Sequence, residues 1–169
     1  QKSASVREWS LKILNKLADI ELQSLDWKQA IKYFEQIRSL DAFDPNPRAM
    51  LVDLYFRIGV PTAALNELDA YLRLLSTSEQ PAKAASFLEG LLVERPENVE
   101  IQKRLVNYYI EKNQLPYAIE KLDALAEKTL GAEDIPGTLA TLEHIISLQP
   151  PNAGDYQKLF MDLKSKSES

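Results

Sequence analysis

The sequence predicts an all-α protein, a stack of about nine antiparallel helices forming a right-handed α-solenoid. Three observations lead there. Apolar residues recur at spacings of three and four almost from end to end, with no sustained alternation of apolar and polar positions. Prolines and short polar residues interrupt this pattern at regular joints. The chain also matches itself when shifted by 54 positions.

In chain order the helical segments run about 5–23, 27–40, 47–58, 61–75, 79–94, 99–112, 115–130, 135–148 and 153–164. Asp26 supplies an N-cap acceptor for the second, and Gln29 three residues on completes a capping box. Asn46 before Pro47 places an acceptor at the N-cap and a residue without an N–H where that donor has no partner. Asn98, Asp134 and Asn152 stand at equivalent junctions. Gly59 with Pro61, then Pro96, then Pro150 with Pro151 forbid continuous helix across their joints. Such short connections make sequential helices antiparallel neighbours.

The 54-residue shift lays Leu51 on Leu105, Val52 on Val106, Tyr55 on Tyr109 and Ala64 on Ala118. Without a gap it also lays Leu68-Asp69-Ala70 on Leu122-Asp123-Ala124, Leu88-Glu89 on Leu142-Glu143 and Pro96 on Pro150. Ala30 falls on Ala84 and Phe34 on Leu88. The period spans three helices. One helical domain over residues 1–164 follows, with blocks at about 1–43, 44–97 and 98–151, a last helix at 153–164 and a frayed tail at 165–169. A three-helix block alone cannot bury both of its apolar faces, whereas stacked blocks bury them against one another.

Within each block the wording resembles the tetratricopeptide repeat (TPR). Leu105, Val106 and Tyr109 followed by Ala118 and Leu122 carry the clearest copy, and Leu51, Val52 and Tyr55 with Ala64 and Leu68 carry another. Leu14, Leu17 and Ala18 precede a second helix marked by Ala30, Phe34 and Ile37. Counting back from Pro96 through Leu88 and Ala84 makes 61–75 the first helix of a further unit, with Leu68, Tyr71 and Leu72 in the signature places. The helix at 115–130 is shared in the same way before Thr138, Leu142 and Pro150. The resemblance covers roughly residues 8–163 and is similar to long bacterial multi-repeat TPR proteins. The glycine usual at the eighth position of the repeat is replaced here by Ala18, Val52, Leu72, Val106 or Ala126.

Composition narrows the function classes. Net charge is −5 with both signs interspersed, so no basic stripe suits a phosphate backbone and no nucleic-acid partner is expected. Without cysteine there are no disulfides and no thiolate metal sites, a composition that fits a reducing, cytoplasmic setting. No apolar run approaches the ~20 residues that span a bilayer. Because the chain opens with Gln1, a longer parent protein is expected. His144 is the only histidine and falls on the position of Gly90, which reads as a partly exposed structural residue and not a ligand. Pairs such as Glu67 with Asp69 or Asp41 with Asp44 read as solvated helix faces. With no glycine-rich phosphate loop and no histidine-supported nucleophile, no catalytic, cofactor or metal site is assigned.

The TPR resemblance implies that the first helix of each unit faces a concave groove. Those positions are Ala49, Asp53, Phe56 and Arg57 in one helix and Glu100, Lys103, Asn107, Ile110 and Glu111 in another, with Phe56, Arg57, Lys103 and Asn107 expected on one continuous face. Lys103 and Asn107 also fall where chaperone-binding TPR domains place the first two residues of a carboxylate clamp, but Asp123, Ala124 and Glu127 do not continue it. The aromatics mostly read as core, with Phe43 and Phe56 as partner-contact candidates. The function implied is a protein–protein interaction module holding a peptide or a helix of a partner protein. The alternative is a structural spacer or a segment that self-associates through its end helices.

Overall fold

The structure, a computed structural model, describes residues 2–78 and 80–167, the side chain of Lys2 excepted. Nine α-helices account for nearly all of them: α1 Lys2–Gln23, α2 Trp27–Leu40, α3 Pro45–Arg57, α4 Pro61–Ser76, α5 Lys83–Glu94, α6 Val99–Glu111, α7 Leu115–Gly131, α8 Ile135–Ser147 and α9 Ala153–Ser167. No strand occurs among the described residues, and no helix is long and apolar enough to cross a membrane.

The helix starts follow the capping chemistry. Asp26, Asn98 and Asp134 each accept from the backbone N–H three residues on, at Gln29, Ile101 and Gly137, with bonds of 3.0 Å. This satisfies one of the donors that the first turn leaves without a partner. The third helix starts earlier than its sequence suggests: Asp44, not Asn46, is the cap, accepting from Asn46 N at 2.9 Å, and Pro45 takes the first position. Either proline suits a first turn, and the local pattern cannot choose between them. The fifth helix starts at Lys83 instead of 79, because Pro81 sits in the turn before it. At the C-terminus, helix α9 continues past 164 to Ser167, where the Ser165 and Ser167 hydroxyls donate to the carbonyls of Asp162 and Lys164. The remainder of the expected tail, 168–169, lies outside the described residues.

Two helix ends repeat each other at the 54-residue spacing. Gly59 (φ 76°) and Asn113 (φ 55°) both adopt the left-handed conformation just after α3 and α6. The next N–H in each case reaches back five residues, Val60 to Tyr55 O at 2.9 Å and Gln114 to Tyr109 O at 2.7 Å. Glycine and asparagine adopt this backbone more readily than other residues, and each closes its helix with a Schellman motif.

The chain groups into two compact units, Gln1–Leu91 and Leu92–Ser169. In the first, α1 packs on α2, α2 on α3 and α3 on α4. Its core gathers Ala18, Ala30, Phe34, Ile37, Leu51 and Leu54, with Leu14, Trp27 and Tyr55 packed around them. In the second, α6 packs on α7, α7 on α8 and α8 on α9. There Ile101, Leu105, Ala118 and Ile145 are fully buried and Leu142 nearly so. Each leucine-sized side chain removed from water contributes on the order of 2 kcal/mol. Some residues 54 apart match in burial: Leu51 and Leu105 are each 0% exposed, as are Ala64 and Ala118. Tyr55 and Tyr109 share a position but not their neighbours, since Tyr55 donates to Glu35 while Tyr109 stacks on Tyr117 with ring centroids 5.4 Å apart.

Candidate functional site

The residues expected in a groove fall in both units. In the first, Asp53 and Phe56 are half-buried on α3 and Arg57 is exposed. Arg57 Nε donates to Asp53 Oδ2 one turn back, and its guanidinium lies over the Trp27 ring, 5.6 Å from the centroid. In the second, Glu100, Lys103, Asn107 and Glu111 are exposed along α6 and Ile110 is half-buried. Lys103 Nζ lies 3.1 Å from Glu100 Oε1 and Arg104 also reaches that carboxylate. The hydrogen bond and charge of Lys103, reinforced by Arg104, hold the Glu100 carboxyl below its usual range. Lys103 is therefore already engaged along its own helix.

Beside these residues lies a cavity of about 340 Å³ lined by α6, α7 and α8 within the second unit. Val106, Leu122, Leu125 and Ala140 make its apolar floor, and Lys103, Lys121 and His144 bring cationic or basic groups to it. No carboxylate is among its lining residues. Gln102 forms one wall: its Nε2 donates to Pro96 O at 3.1 Å, and its Oε1 is buried without a hydrogen-bond partner among the described residues. His144 thus borders a cavity, a placement that its position in the repeat does not reveal.

At the same register in the first unit there is a plug. Glu67 Oε1 accepts from Arg48 Nη1 at 3.0 Å, and Arg38 holds the other carboxylate oxygen. The Arg48 guanidinium also donates to Ala42 O from Nε at 3.3 Å and from Nη2 at 3.1 Å, and it lies 5.2 Å from the Tyr71 ring centroid. Tyr71 meets Phe87 edge to face, centroids 4.6 Å apart, and donates to Phe43 O at 2.9 Å. Ion pair, cation–π contact and aromatic pair fill the space between α3, α4 and α5. Reading Glu67 as a solvated carboxylate was wrong, because it is 6% exposed and doubly bridged. Its partners lie 19 and 29 residues away, beyond the reach of any local pattern. Phe43, singled out as a contact candidate, is partly exposed, and its carbonyl serves Tyr71.

Among the described residues there is no group of three or more histidine and carboxylate side chains placed to hold a metal ion. Tyr156 of α9 is also perturbed: burial first, then the Asp123 charge, raise its pKa.

No family model matches the chain, and no curated protein matches it. Among solved structures it is similar to the MamA protein, at 18% identity and a TM-score of 0.40 over 94% of each chain. The putative kinesin light chain nearly identical TPR-like repeats of Podosopora anserina align at 15% identity and a TM-score of 0.40, over 94% of this chain and 96% of that one. The TPR domain of P58(IPK) aligns at 15% identity and a TM-score of 0.41, over 92% of this chain and 45% of that one. The solved structures to which this chain is similar thus include proteins described as TPR or TPR-like repeats.

Proposed function

We propose that this chain is a TPR-like interaction scaffold, a helical-repeat domain whose first-type helices hold a peptide or a helix of a partner protein. The observation that carries the reading is the α6 face, where Lys103 and Asn107 are exposed one turn apart beside the cavity of the second unit. A cation and an amide four residues apart on a helix can grip one carboxylate together, and here Lys103 would exchange its exposed pair with Glu100 for that carboxylate. Affinity in such a scaffold is spread over several side chains, so Asp53, Phe56 and Arg57 of the first unit belong to the same proposal. The test is capture of partners from lysate by the intact chain and by a variant carrying Lys103→Glu and Asn107→Ala. Loss of a specific partner in the variant supports the reading, and equal capture by both removes it.

Self-association is the second reading, and α1 favours it. Val6, Trp9, Ile13 and Ile20 are exposed on this helix, Trp9 by 65%. Apolar side chains grouped on successive turns mark a surface suited to being covered. Sedimentation over a concentration series, with Trp9→Glu as control, decides it: a dimer lost on substitution supports association through the end helix. A monomer at every concentration excludes it.

A further inference from the structure

We propose that α1 pairs with α1 of a second copy of this chain in antiparallel orientation, with Trp9 of each copy against Ile20 of the other, an inference that rests on the self-association reading and specifies the partner. Helix α1 has two apolar faces. On one, Ala18 is fully buried and Leu11, Leu14 and Leu22 join the core beside α2. Val6, Trp9, Ile13 and Ile20 follow one another at steps of three, four and seven residues, which keeps them in one line along the opposite side. Each of the four is more than half exposed. A surface helix of a globular unit typically carries one apolar stripe, with polar residues opposite it.

Charge indicates what covers the second stripe. From residue 3 to 16 the helix carries Arg7, Lys12 and Lys16 against Glu8, a net of +2, and from 17 to 23 it carries Asp19 and Glu21, a net of −2. That is the reverse of what the helix dipole favours, and neither an acid in the first turn nor a base in the last offsets it. An antiparallel copy corrects this: its acidic half lies along the basic half, and the two dipoles oppose each other. A parallel copy would lay like charge on like. The same patch serves on both molecules, as a two-fold contact requires.

One register satisfies the side chains. With Trp9 opposite Ile20 of the second copy, Ile13 lies opposite Lys16, whose methylene stem can cover it, and the two-fold axis passes between Leu14 and Asn15. On one flank this register brings Asp19 of the second copy to Lys12. Both residues are exposed, and Asp19 has no ion pair among the described residues. Lys12 lies 3.4 Å from Glu8 at an exposed site, and its ammonium keeps donors for a second carboxylate. A hollow of about 460 Å³ runs beside Trp9, Lys12, Ile13 and Lys16, on the flank where Asp19 of the second copy arrives.

The experiment uses the intact chain, which has no cysteine, so an introduced thiol reports one contact. Val6→Cys and Gln23→Cys, made as separate proteins, are mixed and mildly oxidised at a concentration where sedimentation shows the dimer, and the joined peptides are identified by mass spectrometry. The expected product is the mixed disulfide between positions 6 and 23, which face each other in this register. Disulfides joining like positions, or none of either kind, sink this inference and leave self-association standing. Lys12→Glu and Asp19→Lys are each expected to weaken the dimer about fivefold, the scale of two exposed ion pairs, and the double variant with the charges exchanged is expected to regain it. A double variant as weak as the single ones overturns the register. Trp9→Glu, at an exposed site, is expected to weaken the dimer by about a hundredfold or more. A dimer that survives Trp9→Glu, or a monomer at every concentration, removes both this inference and the reading it rests on.

Discussion

The Glu67 carboxylate and the Arg48 guanidinium meet at 3.0 Å with side chains only 6% and 9% exposed, and Arg38 of α2 bridges the same carboxylate. One charge on α4 thus fastens α2 and α3. Removing one member of a buried pair leaves the other desolvated and uncompensated, which typically costs ~3–5 kcal/mol. Glu67→Gln is therefore expected to destabilise the first unit by about 3 kcal/mol or more. Arg38→Ala, at a side chain 31% exposed, is expected to cost far less. Urea unfolding with hydrogen exchange on α2–α4 checks the order, and equal losses in the two variants would show that burial is not what makes Glu67 costly to change.

Tyr55 donates to Glu35 Oε1 at 2.7 Å. Burial first, then this hydrogen bond and the Glu35 charge, push its pKa up to about 12. An unfolded tyrosine titrates near ~10. Between those values the folded chain holds a proton that the unfolded chain has released. The resulting stability is fully present below pH ~10 and is lost as pH climbs through the folded value. Tyr71 and Tyr156 are shifted in the same direction and add to the same trend. Spectrophotometric titration should show a late-titrating tyrosine that disappears in Tyr55→Phe. A variant with an unchanged titration curve would refute the assignment.

Gly137 occupies the first turn of α8 directly against its own cap. A Cβ there would lie 2.1 Å from Asp134 Oδ2, so an alanine must push the capping carboxylate aside. Losing the cap costs ~1 kcal/mol, while replacing glycine in a helix gains up to ~1 kcal/mol. Gly137→Ala is accordingly expected to be nearly neutral alone, and stabilising in an Asp134→Ala background where no cap remains to be displaced. A double-mutant cycle by thermal unfolding measures the coupling, and additivity within error would refute it.

Leu51 and Leu105 are both 0% exposed and 54 residues apart. If they hold equivalent places in successive layers, Leu51→Ala and Leu105→Ala should each cost about 3–5 kcal/mol. Each loss should appear in its own unit, as faster amide exchange in α3 or in α6. A small loss at one site and a large one at the other would argue against equivalence.

The residues alone determined the helical class, all nine segments and three of the caps, because each is written within a few positions. Apolar spacing, a short polar acceptor and a proline act over one or two turns, which is the range sequence reading commands. The starts at Pro45 and Lys83 were less legible, since competing caps and prolines stand within a turn of one another. The 54-residue match of Leu51 with Leu105 is legible as identical letters, and both residues are buried. Tertiary structure alone decided what that register contains. Glu67 is held by Arg48 and Arg38, whereas its counterpart Lys121 borders an open cavity, and nothing local separates these outcomes. Whether a space between helices is plugged or empty depends on side chains arriving together from three helices, and only packing brings them to one point.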